Sequence, residues 1–343
     1  MTSNLTYWEK RFLRIEADRD KREQAYLAEM NKRYGDLAQR LQKEVDDWVQ
    51  KYAVNDNITA FEANQLLSKS EQKTWSMSLE SFKQKAIEGG FDQELNREYY
   101  RSRISRLQQL QHQLVLELAE HANYEIDELE AYLVETFDET YLRNIYEIAD
   151  RGAINLTFQS YSPQQLALAV RQPWTGDDFS RRVWRNHLEY LPDKLNKSMA
   201  NAVAQGWGAD RIVNEMMKGV DRNLRNRMIT LVQSESAHIA EEASQASYRE
   251  TGVEQYTWMA TFETHTCDQC ARLDGQSFDI GDPSSPHPVE DTHPNCRCTT
   301  VPKIDYAPAI TTRWQRDPVT GKGKVMKVEK FKEWKKRKTK EAA

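Results

Sequence analysis

Between Tyr26 and Tyr52 the residues Tyr26, Met30, Tyr34, Leu37, Leu41, Val45, Trp48 and Tyr52 recur at steps of 4, 4, 3, 4, 4, 3 and 4. That spacing places them on one face of a single long helix. The mean step of about 3.7 is nearer an 11-residue repeat than a heptad, so the helix is expected to run straight and not as a left-handed supercoil. A stripe this long needs another helix to cover it, which commits the chain to long packed helices. Composition agrees: 29% of the 343 residues are charged, 39% are hydrophobic and the mean hydropathy is -0.83. Long helices with one solvated face are polar in this way.

Punctuation along the chain extends the helical reading. Thr59-Ala60-Phe61-Glu62 has the form of a capping box. Gly89-Gly90 suits a helix end, and Asp92 can cap a helix reaching about His121. A further helix is predicted from Tyr124 to about Arg151, stopping at Gly152. Pro163, Pro173 and Gly176 mark a boundary, with Ser162-Pro163 read as an N-cap followed by a first-turn proline. Helices are then expected over 177–205, 210–218 and 221–249, and Gly252 closes the last. Beyond it Tyr256, Trp258, Ala260 and Phe262 alternate with polar residues or Met259, which predicts a strand. Two more short strands are expected at Gln276–Ile280 and Arg297–Ile304, with a proline-rich loop over Gly281–Pro288 and a turn at Asp317–Gly321. The predicted class is mainly α with a small β-containing Cys/His knuckle near the C-terminus, α+β overall, with long antiparallel helices. Four regions follow: a helix bundle over 1–160, a second helical part over 161–252, the knuckle over 253–305 and a basic tail over 306–343.

All four cysteines, Cys267, Cys270, Cys296 and Cys298, fall within 32 residues. In a reducing compartment such clustering reads as a metal site before it reads as a disulfide framework. Cys267-Asp268-Gln269-Cys270 is a C-x-x-C knuckle, and His293-Pro294-Asn295-Cys296-Arg297-Cys298 supplies three more donors. Zinc takes four thiolate or imidazole ligands in a tetrahedron. The four cysteines are one possible set, with His293 competing for the fourth place. About 50 residues with few aliphatics hold little core, and a structural zinc supplies folding energy on the order of 10 kcal/mol. Four reduced, unmetallated cysteines in a β-rich core remain the alternative. His265 and His287 rank below His293, while His112, His121, His187 and His238 lack metal spacing and read as surface or boundary residues.

Charge is uneven. Lys322–Ala343 holds ten Lys/Arg against three Glu, so this end carries +7 of a chain whose formal charge is -5. An anionic partner is implied, with nucleic acid the obvious candidate; a solvated end around Lys335-Lys336-Arg337-Lys338 is the plainer reading. The longest apolar run, Leu166–Val170, is far short of the roughly 20 residues of a membrane span. The opening residues lack a signal-peptide h-region, so a cytoplasmic protein with no membrane partner is expected.

From about Asp177 to Pro302 the chain resembles the phage head-morphogenesis family, the Mu F-like minor head proteins. The residues that carry this are Cys267 and Cys270, Leu273-Asp274-Gly275 and His293-Pro294-Asn295-Cys296-Arg297-Cys298. Glu263 takes the place of an acidic residue four before the first cysteine. The family's Arg-Thr-Glu appears as Gln233-Ser234-Glu235, so only the glutamate matches. The resemblance covers about a third of the chain, and it implies a minor capsid protein present in few copies inside the virion. It further implies a place near the portal vertex, the portal protein as partner, possible contact with genomic DNA, scaffold or major capsid protein, and no enzymatic activity. Metal binding rests on spacing alone. Two other readings compete: a zinc-dependent nucleic-acid-binding protein and a zinc enzyme. A zinc deaminase shows H-x-E ahead of P-C-x-x-C. Here no proline precedes the C-x-x-C.

Overall fold

The computed structural model describes residues 7–52, 106–150, 158, 160–191, 197, 201, 205, 211, 214, 215, 218, 223–260, 267–304, 312–316 and 323–327. The capping box at Thr59 and the glycine pair at Gly89 lie outside them. The fold is mainly helical, with a three-stranded antiparallel sheet and a Cys/His cluster toward the C-terminal end, as the sequence predicts.

Helix α1 spans Tyr7–Tyr52. Its apolar face is longer than the stripe suggested: Trp8, Phe12, Ile15 and Leu27 are buried on the same spacing as Met30, Tyr34, Leu37, Leu41, Val45 and Trp48. Arg19 and Glu23 occupy the intervening positions of that face and are also buried, which interrupts the apolar pattern without interrupting the buried face. Helix α2 spans Arg106–Ile145 and ends in a π-helical turn, Tyr146–Asp150. The expected break between His121 and Tyr124 is absent. The intervening Ala122 and Asn123 carry no glycine or proline, and Ala122 is fully buried, so the helix runs on through the core.

The chain divides into two compact units. One comprises Met1–Tyr26, Glu130–Gly176 and Val232–Ala343, the other Leu27–Leu129 and Asp177–Leu231. In the second unit α1 and α2 are pinned by Arg33–Glu125 and Arg40–Glu117. One number rises as the other falls, so the two helices run antiparallel. Helix α3, Pro163–Val170, belongs to the first unit, and its Ser162 and Gln165 form a reciprocal capping box. Helix α4, Phe179–Arg185, continues into a second π-helical turn, Asn186–Tyr190. His121 and His187 are buried here, not superficial: His187 Nε2 lies 2.8 Å from the Tyr34 hydroxyl, and its Nδ1 donates to the Val183 carbonyl.

In the first unit α1 and α2 are again antiparallel, joined by Arg11–Glu147, Asp18–Arg143 and the stacked rings of Tyr26 and Tyr132. From Met30 to Trp48 the stripe therefore has its cover inside the chain. Helix α5, Arg225–Glu250, ends at Gly252, whose φ of 68° permits two closing bonds, Val253 N to Tyr248 O and Gly252 N to Arg249 O. That 6→1 and 5→2 pair turns the chain sharply into the sheet. Strand β1, Gln255–Met259, pairs antiparallel with β2, Ser277–Asp279, on one side and β3, Thr299–Pro302, on the other. Between β1 and β2 lies the short helix α6, Asp268–Leu273. Trp8, Phe12 and Ile15 of α1 pack with Tyr248, Tyr256 and Val301 in one core cluster. The region read as a basic tail contains two paired strands, β4 (Thr312–Arg316) and β5 (Gly323–Lys327), with Trp314 opposite Val325. The predicted turn at Asp317–Gly321 falls between them, outside the described residues.

Candidate metal centre

Helix α6 starts at a cysteine. Cys267 is its N-cap, with extended backbone (φ -74°, ψ 159°), and its Sγ accepts the Cys270 backbone N–H at 3.4 Å. An N-cap position normally uses an oxygen acceptor; a sulfur there holds a thiolate against a free helix N–H. The C-x-x-C spacing thereby turns Cys270 inward, where it is buried with Trp258, Ala260, Val289, Cys296 and Cys298. The Leu273-Asp274-Gly275 turn fastens this helix to the sheet. Gly275 takes a φ of 74°, its N–H donates to the Trp258 carbonyl, and the Asp274 carboxylate accepts the Ala260 N–H at 2.9 Å.

The second half of the cluster comes from the loop before β3. Asn295 adopts a left-handed φ of 62°, and the Cys296 N–H returns to the His293 carbonyl at 3.2 Å. The Asn295 N–H donates to Ser234 Oγ on α5. Ser234 is one of the two positions at which the Arg-Thr-Glu pattern departs, and its hydroxyl anchors the knuckle loop. Its neighbour Glu235 is buried and accepts the Trp174 indole N–H at 3.0 Å. Arg297, between two cysteines, points away from the sulfurs. Its Nη1 lies 3.5 Å from Asp20 Oδ1 and 3.4 Å from Glu23 Oε1 on α1. Neither contact is readable from local sequence, because the carboxylates lie more than 270 residues away.

All five predicted donors are brought together. Cys267, Cys270 and His293 form one group whose ligand atoms lie within 4.8 Å of one another, and Cys270, Cys296 and Cys298 form a second. Cys270 belongs to both. Its Sγ lies 3.7 Å from Cys296 Sγ and 3.6 Å from His293 Nε2. The four cysteines form no disulfide. Burial pushes the Cys270 thiol up to about 12, whereas the Cys298 side chain, hydrogen-bonded to Cys296, brings that thiol down to about 5. The Cys270 N–H lowers the Cys267 thiol in the same way. His287 turns elsewhere: its Nδ1 faces Glu241 at 3.3 Å, a buried carboxylate that also accepts from Thr300 Oγ1 and Gln245. Sequence spacing gave no sign of Glu241. Glu263 and His265 lie outside the described residues.

This arrangement suits a closed, thiolate-rich centre for a soft or borderline divalent ion. Comparison with known proteins agrees with the motif reading. Residues 193–301 match the model of the family described as Phage Mu protein F like protein. The chain is also similar to an uncharacterized protein of Haemophilus influenzae, 26% identical over 121 residues. That alignment covers 34% of this chain and 26% of the relative, so the chain spans about a quarter of that protein's length. No solved structure matches the chain.

Proposed function

We propose that this chain is a minor head protein of a tailed bacteriophage, acting in head morphogenesis from inside the capsid near the portal vertex. The observation that carries the reading is the coincidence of the family match over residues 193–301 with the knuckle itself. The C-x-x-C, the Asp-Gly turn and the His-Pro-Asn-Cys-Arg-Cys segment form one folded feature docked on α5 and α1. In this role the protein is structural and not an enzyme. The knuckle holds a structural zinc that ties α6 to the loop before β3, adding to the core the sheet shares with α1 and α5. The portal protein is the first partner, with scaffold or major capsid protein as further ones, in the host cytoplasm during assembly and in the virion afterwards. No helix among the described residues is long and apolar enough to cross a membrane.

The basic end, Lys322–Ala343, is assigned a contact with packaged DNA through phosphates, since lysine and arginine neutralise backbone charge without reading base edges. The buried α1 stripe is unavailable as a docking face, so contact with the portal falls on the outer helical surface. There charge complementarity sets orientation and encounter rate. Co-expression of the full chain with the portal protein of the same genome, followed by affinity purification, tests the reading. Co-purification at a fixed ratio is expected, together with a few copies per particle by quantitative mass spectrometry of purified virions. A chain that neither co-purifies with portal nor enters virions is not a minor head protein.

A further inference from the structure

Five donors surround the knuckle, and a tetrahedral ion takes four. We infer that the ion is held by Cys267, Cys270, His293 and Cys296, and that Cys298 stands outside the coordination sphere as a hydrogen-bonding neighbour of Cys296. This rests on the reading of the knuckle as a metal centre and goes beyond it by assigning the ligands.

Distances come first. With Zn–S about 2.3 Å and Zn–N about 2.0–2.1 Å, a tetrahedron has edges of about 3.8 Å between two sulfurs and about 3.6 Å between sulfur and nitrogen. Cys270 Sγ to Cys296 Sγ is 3.7 Å and Cys270 Sγ to His293 Nε2 is 3.6 Å, so two edges meeting at Cys270 are already at coordination length. Cys267 closes a face with Cys270 and His293, all three ligand atoms lying within 4.8 Å of one another; Cys298 meets the same limit with Cys270 and Cys296, so the choice between it and His293 falls to the imidazole's orientation and to charge.

The imidazole is prepared for the task. His293 Nδ1 lies 2.9 Å from the Pro294 carbonyl, which can only accept, so Nδ1 carries the proton. Nε2 is left with its lone pair directed at the sulfurs. Metal-bound histidines are held in this manner, with the remote N–H donating to a carbonyl or carboxylate that fixes tautomer and ring orientation. A histidine that merely sat beside the cluster would need no such arrangement.

Charge favours the same set. Three thiolates and one imidazole on a divalent ion leave a net charge of -1, and four thiolates leave -2. Cys270, Cys296 and Cys298 are buried among Trp258, Ala260 and Val289, where each added net charge is costly. Outside the sphere, Cys298 is a hydrogen-bonding neighbour of the Cys296 sulfur. It directly precedes β3, whose first residue, Thr299, is paired with Met259 of β1, so its backbone is tied to the sheet.

The test uses the full chain loaded with cobalt(II) in place of zinc. The intensity of the thiolate-to-cobalt charge-transfer band counts sulfurs, and three are expected; this measurement needs no variant. Zinc content and competition titration against a chelator follow for two substitutions. Cys298→Ser is expected to keep about one zinc per chain and to weaken binding by no more than the roughly 10–100-fold that loss of an outer partner costs. His293→Asn is expected to weaken it more than that and to change the cobalt spectrum. A four-sulfur band, or loss of metal on Cys298→Ser with retention on His293→Asn, overturns the assignment while leaving the metal centre standing. A native chain that takes up neither zinc nor cobalt removes the metal centre itself.

Discussion

His121 and His187 carry a pH dependence that their sequence neighbours do not announce. Burial lowers His187 to about 4, and burial reinforced by His187, Arg40 and Arg33 lowers His121 to about 2. Both are therefore neutral in the folded protein at any pH where an unfolded histidine, near 6.5, begins to take up a proton. Below about 6.5 the unfolded chain binds protons that the folded chain refuses. Stability is thus complete above that pH and falls as the pH drops toward 4, by on the order of 1 kcal/mol per histidine per pH unit. Glu125, raised by burial despite Arg33, acts in the opposite direction, so the wild type alone does not isolate the effect. The expected result is that His187→Gln, which keeps a hydrogen-bonding group for Tyr34, unfolds in urea with a shallower loss of stability between pH 6.5 and 4.5. Parallel curves for the two proteins would show that the histidines are not the cause. Arg297 is a second such residue. Truncation to alanine strips Glu23, itself 2% exposed, of one of its two cationic neighbours. Because Arg297 is partly exposed and Arg19 remains, a loss of about 1–3 kcal/mol is expected, below that of a fully buried pair. Zinc content should not change, and a fall in zinc would mean that Arg297 acts through the knuckle and not through α1.

Helix α5 is the element on which the knuckle is assembled. Along one helix Ser234 receives the Asn295 N–H, Glu241 receives Thr300, and the Tyr248 hydroxyl donates to the Thr300 carbonyl at 3.0 Å. The loop, β3 and the sheet edge are thus fixed to a rigid rod, and α6 is fixed to β1 through Asp274 and Gly275. What remains to be held is the approach of α6 to the His293–Cys298 loop. Gln269 donating to the Asp291 carbonyl crosses that gap, Leu273 packs on the cluster that holds Val289 and Cys296, and the sulfurs and His293 meet at its centre. Removing the proposed zinc with a chelator is therefore expected to loosen α6 and the loop before it melts the helices. Near-ultraviolet circular dichroism should report this through Trp258, which is packed against the cysteines, while far-ultraviolet helical signal changes little. Simultaneous loss of both signals would mean that the helical body depends on the metal directly.

Over the full length of the chain, charge separates an acidic body from a basic end, and the DNA contact proposed above is the property to measure. Combining Lys335→Gln, Lys336→Gln, Arg337→Gln and Lys338→Gln removes four cations while leaving β4 and β5 intact. If all four meet phosphates of duplex DNA, the slope of log K against log salt should fall by roughly 3–4, equally for unrelated sequences. An unchanged slope would place the contact elsewhere or nowhere. Stretches far apart in sequence also gather into one compact unit, the first drawing on Met1–Tyr26, Glu130–Gly176 and Val232–Ala343. No pattern along the chain marks such a unit, because each stretch is helical or strand-like for local reasons and joined to the others only through space.

The long first helix, the cap at Ser162, the stop at Gly252, the order of the short strands and the five donors of the knuckle are all legible in the bare sequence. Each of these follows from spacing or from the backbone demands of one or two residues, and such constraints are local. The remainder was settled by packing in three dimensions. Arg19 and Glu23 break the apolar pattern of α1, yet they are buried because Ser236 and Arg297 meet them there. His121 and His187 read as polar and lie in a core, where Tyr34 and the Val183 carbonyl satisfy the His187 nitrogens and the Tyr34 ring packs edge-on against His121. The C-x-x-C and H-x-x-C-x-C spacings could not choose between His293 and Cys298, since spacing limits which side chains can reach a point without stating where the point is. The position of Cys270, 3.7 Å from one donor and 3.6 Å from another, is set by how α6 packs on β1 and how the loop packs on α5. Those are long-range contacts, and they form only once the chain has folded.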